Sequence, residues 1–202
     1  MSKRILYFYG NNPYPIRSGS HQRCLTMLSL LKIHGYKIYF LSTDFASEKP
    51  WTDKEINVLK NLYVEEVYIY TMGFFCRWWT KFIGAFYKLI KRKDPPLNSI
   101  VNTPQEMRIW FKDQYCKIKP DAIFMNYAFW HGLVYDPIFK NIPKIIDTHD
   151  LVTLNRKLRE IIEKNIHSDR KIWQYKFSEN LDIKPDNEEF AVYDNYNITI
   201  AI

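Results

Sequence analysis

Residues 5–23 read ILYFYGNNPYPIRSGSHQR and pass from one structural pattern to another. Ile5 to Tyr9 is a short apolar run of strand formers. Beyond the quoted stretch, Cys24, Leu28 and Leu31 fall on one face at helical spacing, and Gly35 supplies a stop for a helix over residues 20–34. Between strand and helix lies a long loop with its own logic. Pro13 and Pro15 fix φ and remove N–H donors, which holds the chain extended above a sheet edge. Gly19 then permits a turn and a close approach to a ligand. Ser18 or Ser20 can cap the helix, whose first N–H groups form a site for an anion. The plainer alternative is a capped surface loop that binds nothing.

The same alternation continues along the chain. Further strands are predicted at Lys37 to Thr43, Glu66 to Tyr70, Ala122 to Tyr127, Lys144 to Thr148 and Ile198 to Ile202. Helices are predicted over residues 53–62, 77–93, 104–118 and 151–166. Such alternation implies an α/β fold, with a mainly parallel sheet covered by helices on both faces. Pro95-Pro96 reads as a hard loop, and residues 178–189 read as solvated. Sheets of this type bind ligands at the carboxyl ends of their strands. The loops after Tyr9, Tyr127 and Thr148 are therefore where chemistry is expected.

Composition narrows the function classes. With 202 residues, the chain suffices for one well-packed domain or two small ones. Net charge is +7, but residues 160–202 carry −4, so the rest is strongly basic and attracts phosphates of some kind. Aromatic residues reach 17%, a richness suited to surfaces that are half apolar and half wet. Cys24, Cys76 and Cys116 are odd in number and lack ligand spacing, which argues against a disulfide framework or a zinc site. Residues 1–4 (MSKR) run straight into the first strand without a signal-peptide core, and no apolar run approaches ~20 residues. A cytoplasmic chain is expected.

Known nucleotide motifs are missing. Gly10 and Gly19 stand too far apart for G-x-G-x-x-G, and no G-x-x-x-x-G-K-[ST] occurs. However, the order strand, NPYPIRSGSHQR, amphipathic helix, HGYKIYFLST resembles the amino terminus of family-4 glycosyltransferases of the GT-B architecture. Gly19-Ser20 stands where the family often has two glycines, Arg23 matches its helix arginine, and Gly35-Tyr36 replaces Gly-His. The stretch KPDAIFMNY (119–127) is similar to the family's KPD strand, and PKIIDTHD (143–150) to its next strand and histidine turn. Residues 188–202 resemble the segment leading out of the family's first domain, with Asn197 where Asp is common.

The resemblance implies one half of a GT-B enzyme. Residues 1–185 would form the acceptor-side Rossmann-like domain. Residues 186–202 would lead towards a second, donor-binding domain in the parent protein or a partner chain. The implied reaction moves a sugar from a nucleotide-sugar to a glycan or lipid-linked acceptor, often with retention and without a required metal or other cofactor. Donors must then meet the charge of the departing diphosphate. By resemblance Gly19, Ser20 and Arg23 take that role, with the positive end of the helix behind them. His149 would contact the donor sugar or its phosphate, and Asp150 would fix the orientation of the imidazole. The alternative for His149 is a loop cap. Asn126, Tyr127, Trp130 and His131 could line the acceptor cleft, although Trp130 suits plain packing equally. His131 with His149 lacks a third metal ligand, and a metal-dependent phosphohydrolase reading of His149-Asp150 lacks its other ligands. Without a second domain the chain is expected to bind nucleotide-sugar weakly and not to turn over. A non-catalytic, membrane-associated binding module is the alternative.

One segment stands apart. Residues 77–93 (RWWTKFIGAFYKLIKRK) hold six basic residues and no acid. On a helical wheel Trp78, Trp79, Phe82, Ile83, Phe86, Leu89 and Ile90 share one face, opposite Arg77, Lys81, Lys88 and Arg92. Two accounts, not exclusive of each other, are open: the apolar face packs on the sheet, and the helix lies at an anionic membrane surface and makes the protein peripheral. Members of the resembled architecture can dock on membranes through their first domain. Nucleic acid is not expected as a partner, because no recognised binding motif accompanies the charge.

Overall fold

The computed structural model describes residues 2–47, 49–91, 95–97, 99–166, 184 and 186–200. Strands β1 (Arg4–Phe8), β2 (Lys37–Thr43) and β3 (Glu66–Tyr70) are joined through helices α1 (Gly19–Ile33) and α2 (Asp53–Leu62). Helix α3 (Phe74–Phe86) continues as a π-helical turn (Tyr87–Lys91), and α4 (Gln105–Ile118) precedes β4 (Ala122–Asn126). Two 3₁₀ turns (Ala128–Val134 and Pro137–Phe139) lead to β5 (Lys144–Asp147), then α5 (Val152–Ile166), α6 (Asn187–Tyr193) and β6 (Ile198–Ile200).

All strand pairs are parallel, and the sheet runs in the order β3-β2-β1-β4-β5-β6. This is the Rossmann-like order, with the reversal of strand order between β1 and β4. The central strands show why. From Ile5 onward β1 is wholly buried, whereas the edge strands β3 and β6 are largely half-buried or exposed. Along β1, Ile5 and Tyr7 face a core with Cys24, Leu25 and Leu28 of α1 and Leu59 of α2. Leu6 and Phe8 face the opposite core, with Met107, Phe111 and Ile118 of α4. The sheet is thus covered on both sides, as the alternation implies.

Element bounds differ from expectation by about one residue in most cases, as helix and strand ends commonly do. Gly35 adopts φ +81° just past the α1 cap, the left-handed conformation for which glycine is suited. Two differences are larger. Helix α3 starts at Phe74 and gives way to the π turn at Tyr87, so it begins earlier than residue 77. Residues 186–200 belong to the same sheet through α6 and β6, and Glu189, expected in a solvated stretch, is fully buried. Its carboxylate accepts the Val152 and Thr153 N–H groups at 2.7 and 2.9 Å, plus the Thr153 and Tyr193 hydroxyls. It is the missing cap of α5, which makes burial of this acid affordable.

Close packing sets the start of the loop. A Cβ on Gly10 would come within 2.3 Å of Trp130 Cζ2, and Trp130 is only 4% exposed. At Gly19 nothing lies within 4 Å of the equivalent position. Gly10→Ala is therefore expected to lose about 1–3 kcal/mol to overpacking, lowering Tm by several degrees in thermal unfolding. Gly19→Ala should leave Tm unchanged or slightly raised, because alanine is the better helix former.

Candidate functional site

The carboxyl ends of β1, β4 and β5 meet where the strand order reverses, and a cleft of about 810 Å³ opens there. Its walls include Tyr9, Gly10 and Ser20 from the first crossover, Tyr127 and Trp130 after β4, and Asp150 after β5. All three loops singled out in the sequence therefore contribute.

The start of α1 forms one wall. Ser18 is its N-cap, with its hydroxyl accepting the His21 N–H at 3.4 Å. Ser20 is not the cap; its hydroxyl sits 2.9 Å from that of Ser18 and accepts from the Tyr9 hydroxyl at 3.2 Å. The Gly19 and Ser20 N–H groups find no acceptor among the described residues. The loop before them is anchored beneath by His21, which is 3% exposed and has Nδ1 within 3.3 Å of the Pro15 carbonyl oxygen. One turn along α1, Arg23 Nε donates to Asp147 Oδ2 at 2.7 Å. The carboxylate holds the guanidinium firmly protonated, raising its pKa above the usual arginine value.

Behind this wall lies a buried polar network. Asn126 Nδ2 donates to the Phe8 carbonyl oxygen at 2.7 Å, which turns Oδ1 towards His149 Nε2 at 2.9 Å. Since Oδ1 can only accept, the neutral imidazole carries its proton on Nε2. Asp147 Oδ2 lies 3.8 Å from the same nitrogen, and Asp147 Oδ1 accepts the His149 N–H at 3.2 Å. Burial pushes the His149 pKa below the ordinary histidine value, against the opposing pull of Asp147. His149 adopts φ +54° and Tyr127 φ +67°, two left-handed residues that set their rings face to face at 4.5 Å and 16°.

Several expectations are redrawn by this geometry. The imidazole is oriented by Asn126 and Asp147, whereas Asp150 is exposed on the cleft wall. Tyr127 provides the cleft surface, and His149 stacks against it. Asn126 is fully buried and positions His149 instead of lining the cleft. Trp130 both lines the cleft and packs on Phe8 and Phe45. His131 is buried elsewhere, with Nδ1 3.4 Å from the Tyr196 hydroxyl and its ring between Tyr135 and Tyr196, because the 3₁₀ turn carries it away from the cleft. Arg156 and Arg159 of α5 join Lys88 on the cleft wall. Their i, i+3 spacing just after a strand end was the available sequence signal. Arg92 lies outside the described residues. Among the described residues no cluster of three His, Cys, Asp or Glu side chains could hold a metal ion.

No family model and no curated protein matches the chain. Among solved structures it aligns with the crystal structure of Arabidopsis thaliana UGT89C1 complexed with UDP, at TM-score 0.45 and 13% identity. The alignment covers 99% of this chain and 42% of that one, so the chain spans less than half of that protein's length. A likeness of this degree speaks to neither family nor activity.

Two outcomes follow from the network. Arg23→Met strands the Asp147 carboxylate, which is 1% exposed, and should cost about 3 kcal/mol in urea unfolding. Combining it with Asp147→Asn should recover much of that loss. His131 gives a pH dependence: burial, then the charges of Lys144 and Arg108, push its pKa down to about 4 from 6.5. Between those values the unfolded chain binds the extra proton, so stability is lost as pH falls through that window, by about 3 kcal/mol in all. Unfolding of wild type and His131→Gln at pH 7 and pH 5 checks this; the variant should show the shallower acid loss.

Proposed function

We propose that this chain is the acceptor-side half of a GT-B glycosyltransferase, and that its cleft holds the diphosphate and sugar of a nucleotide-sugar beside the acceptor. The observation carrying this reading is the open amino end of α1 at the reversal of strand order, with Arg23 fixed one turn behind it. Two helix amino ends reach this edge of the sheet. That of α5 is taken by Glu189, and that of α1 presents the Gly19 and Ser20 N–H groups.

As the bond from sugar to diphosphate breaks, negative charge grows on the leaving phosphate. Fixed N–H donors and a helix dipole stabilise that charge without reorganising. Lys88, Arg156 and Arg159 add positive charge on the cleft wall. Tyr127 and Trp130 offer ring faces to sugar rings. His149, neutral and donating to Asn126, supports Tyr127 from behind and keeps Nδ1 as its lone-pair nitrogen. The acceptor, a glycan or a lipid-linked sugar, enters along this aromatic side. A second Rossmann-like domain, in the parent protein or a partner chain, supplies the rest of the nucleotide site.

Titrating a panel of nucleoside-diphosphate sugars into the ¹⁵N-labelled chain tests the reading. Amide shifts at Gly19, Ser20 and Arg23 are expected, with Kd on the order of millimolar for half a site. Gly19→Val should abolish those shifts while leaving Tm nearly unchanged, since a Cβ at this position meets nothing within 4 Å in the free protein. Shifts confined to other surfaces, or unaltered binding by Gly19→Val, would refute the assignment. Efficient sugar transfer by the 202-residue chain alone would refute its being a half-site.

A further inference from the structure

Helix α3 is turned inside out. Of its 13 residues only Thr80 is buried, although the helix is rich in large apolar side chains. Phe74 and Phe75 are 79% and 82% exposed, Trp78 60%, Trp79 51% and Phe82 54%, and Leu89 of the following π turn is 79% exposed. Phe86 and Ile90 continue the same exposed stripe. The rings lie against one another along the surface: Trp78 and Phe82 stack at 5.9 Å and 13°, Trp79 and Phe82 at 5.8 Å and 22°. Thr80 and Gly84 face the protein, and together with the exposed side chains of Arg77, Lys81 and Lys88 they border a cavity of about 590 Å³. Packing of the apolar face on the sheet, one of the two sequence expectations, is therefore overturned.

We propose that α3 is an interfacial helix that seats this chain on an anionic lipid bilayer. Its aromatic stripe enters the headgroup region, and its basic side chains reach the lipid phosphates. Three features select this occupant. Tryptophan and phenylalanine in one exposed row suit the boundary between headgroups and acyl chains. Basic residues flank the row, and no acidic residue occurs from Phe74 to Lys93, so the charge complements anionic lipid. The same charge opposes a second copy of the chain, because pairing two such stripes brings like-charged rows together. No helix among the described residues is long and apolar enough to cross a membrane, so the contact is one of lying on the surface. Lys88 borders both the cavity under α3 and the large cleft, and docking therefore brings the cleft mouth to headgroup level. The proposal stands independently of sugar transfer, since the helix docks whatever the cleft binds.

Co-sedimentation of the full chain with vesicles tests it. One set is phosphatidylcholine alone, and the other is phosphatidylcholine with an equal part of phosphatidylglycerol. Binding to the anionic set is expected, with a blue shift in tryptophan emission and release on raising salt. Trp78→Ser, Trp79→Ser and Phe82→Ser together should abolish it, with circular dichroism and Tm unchanged because these side chains are already half in water. Lys81→Gln should weaken it by about fivefold, the loss of one charge at an anionic surface. Should the triple variant misfold, wild-type binding to the two vesicle types still decides. Failure to sediment with either set overturns the proposal, as does equal binding to both. So does a wild-type dimer in solution that the triple variant dissolves.

Discussion

Asp147, whose carboxylate is buried at the tip of β5, is held from three directions, two at the carboxylate and one at its backbone, and the site takes its form from how that is done. Oδ2 receives Arg23 of α1, Oδ1 receives the His149 N–H, and the backbone carbonyl receives the Tyr127 N–H at 2.8 Å. A buried carboxylate is tolerated only when paired and hydrogen-bonded. Its demands therefore fix the first turn of α1, the exit from β4 and the turn after β5 relative to one another. The long loop from Gly10 to Ser18 then spans two fixed points, the end of β1 and the helix that Asp147 holds. Its length follows from that span, and the closeness of Gly10 to Trp130 fixes the direction in which it leaves the sheet.

A second buried acid does comparable work at the other helix. Glu189 reaches from α6 to the amino end of α5 and fills it as a bound anion would. The acidic end of the sequence is thus partly an internal counterion, and it settles which helix end stays available. With α5 already satisfied, the amino end of α1 is the one of these two that stays open, while the exposed residues Lys88 and Arg159 line the same cleft.

The fold was legible because parallel strands buried on both sides read as continuous apolar runs, and every such run became a strand. The cleft was legible as a place, through the strand ends, more than as a set of side chains. Asn126, Tyr127, Trp130 and His131 are neighbours in sequence, yet a left-handed Tyr127 followed by a 3₁₀ turn leaves only Tyr127 and Trp130 on the cleft and buries Asn126 and His131 away from it. Sequence spacing carries no signal for that turn. Asp147 was hidden inside an apparently plain strand, and Glu189 inside an apparently solvated stretch, because burial of an acid depends on partners distant in sequence: Arg23 for one, Val152 and Thr153 for the other.

Helix α3 shows the same limit in reverse. Periodicity established an apolar face but not what that face meets. The orientation is decided by the small residues on the other side. Thr80 comes within 3.9 Å of Met72 Sδ, and a Cβ on Gly84 would lie 3.8 Å from Val101 Cγ1, so this side approaches the body closely. Turning the helix over would drive Trp78, Trp79 and Phe82 into the space that a threonine and a glycine now occupy. Overpacking of that size is costly, whereas the basic side chains bordering the cavity reach water along their stems. The small face is therefore the one that makes the close contacts with the body, and the aromatic face is left outward.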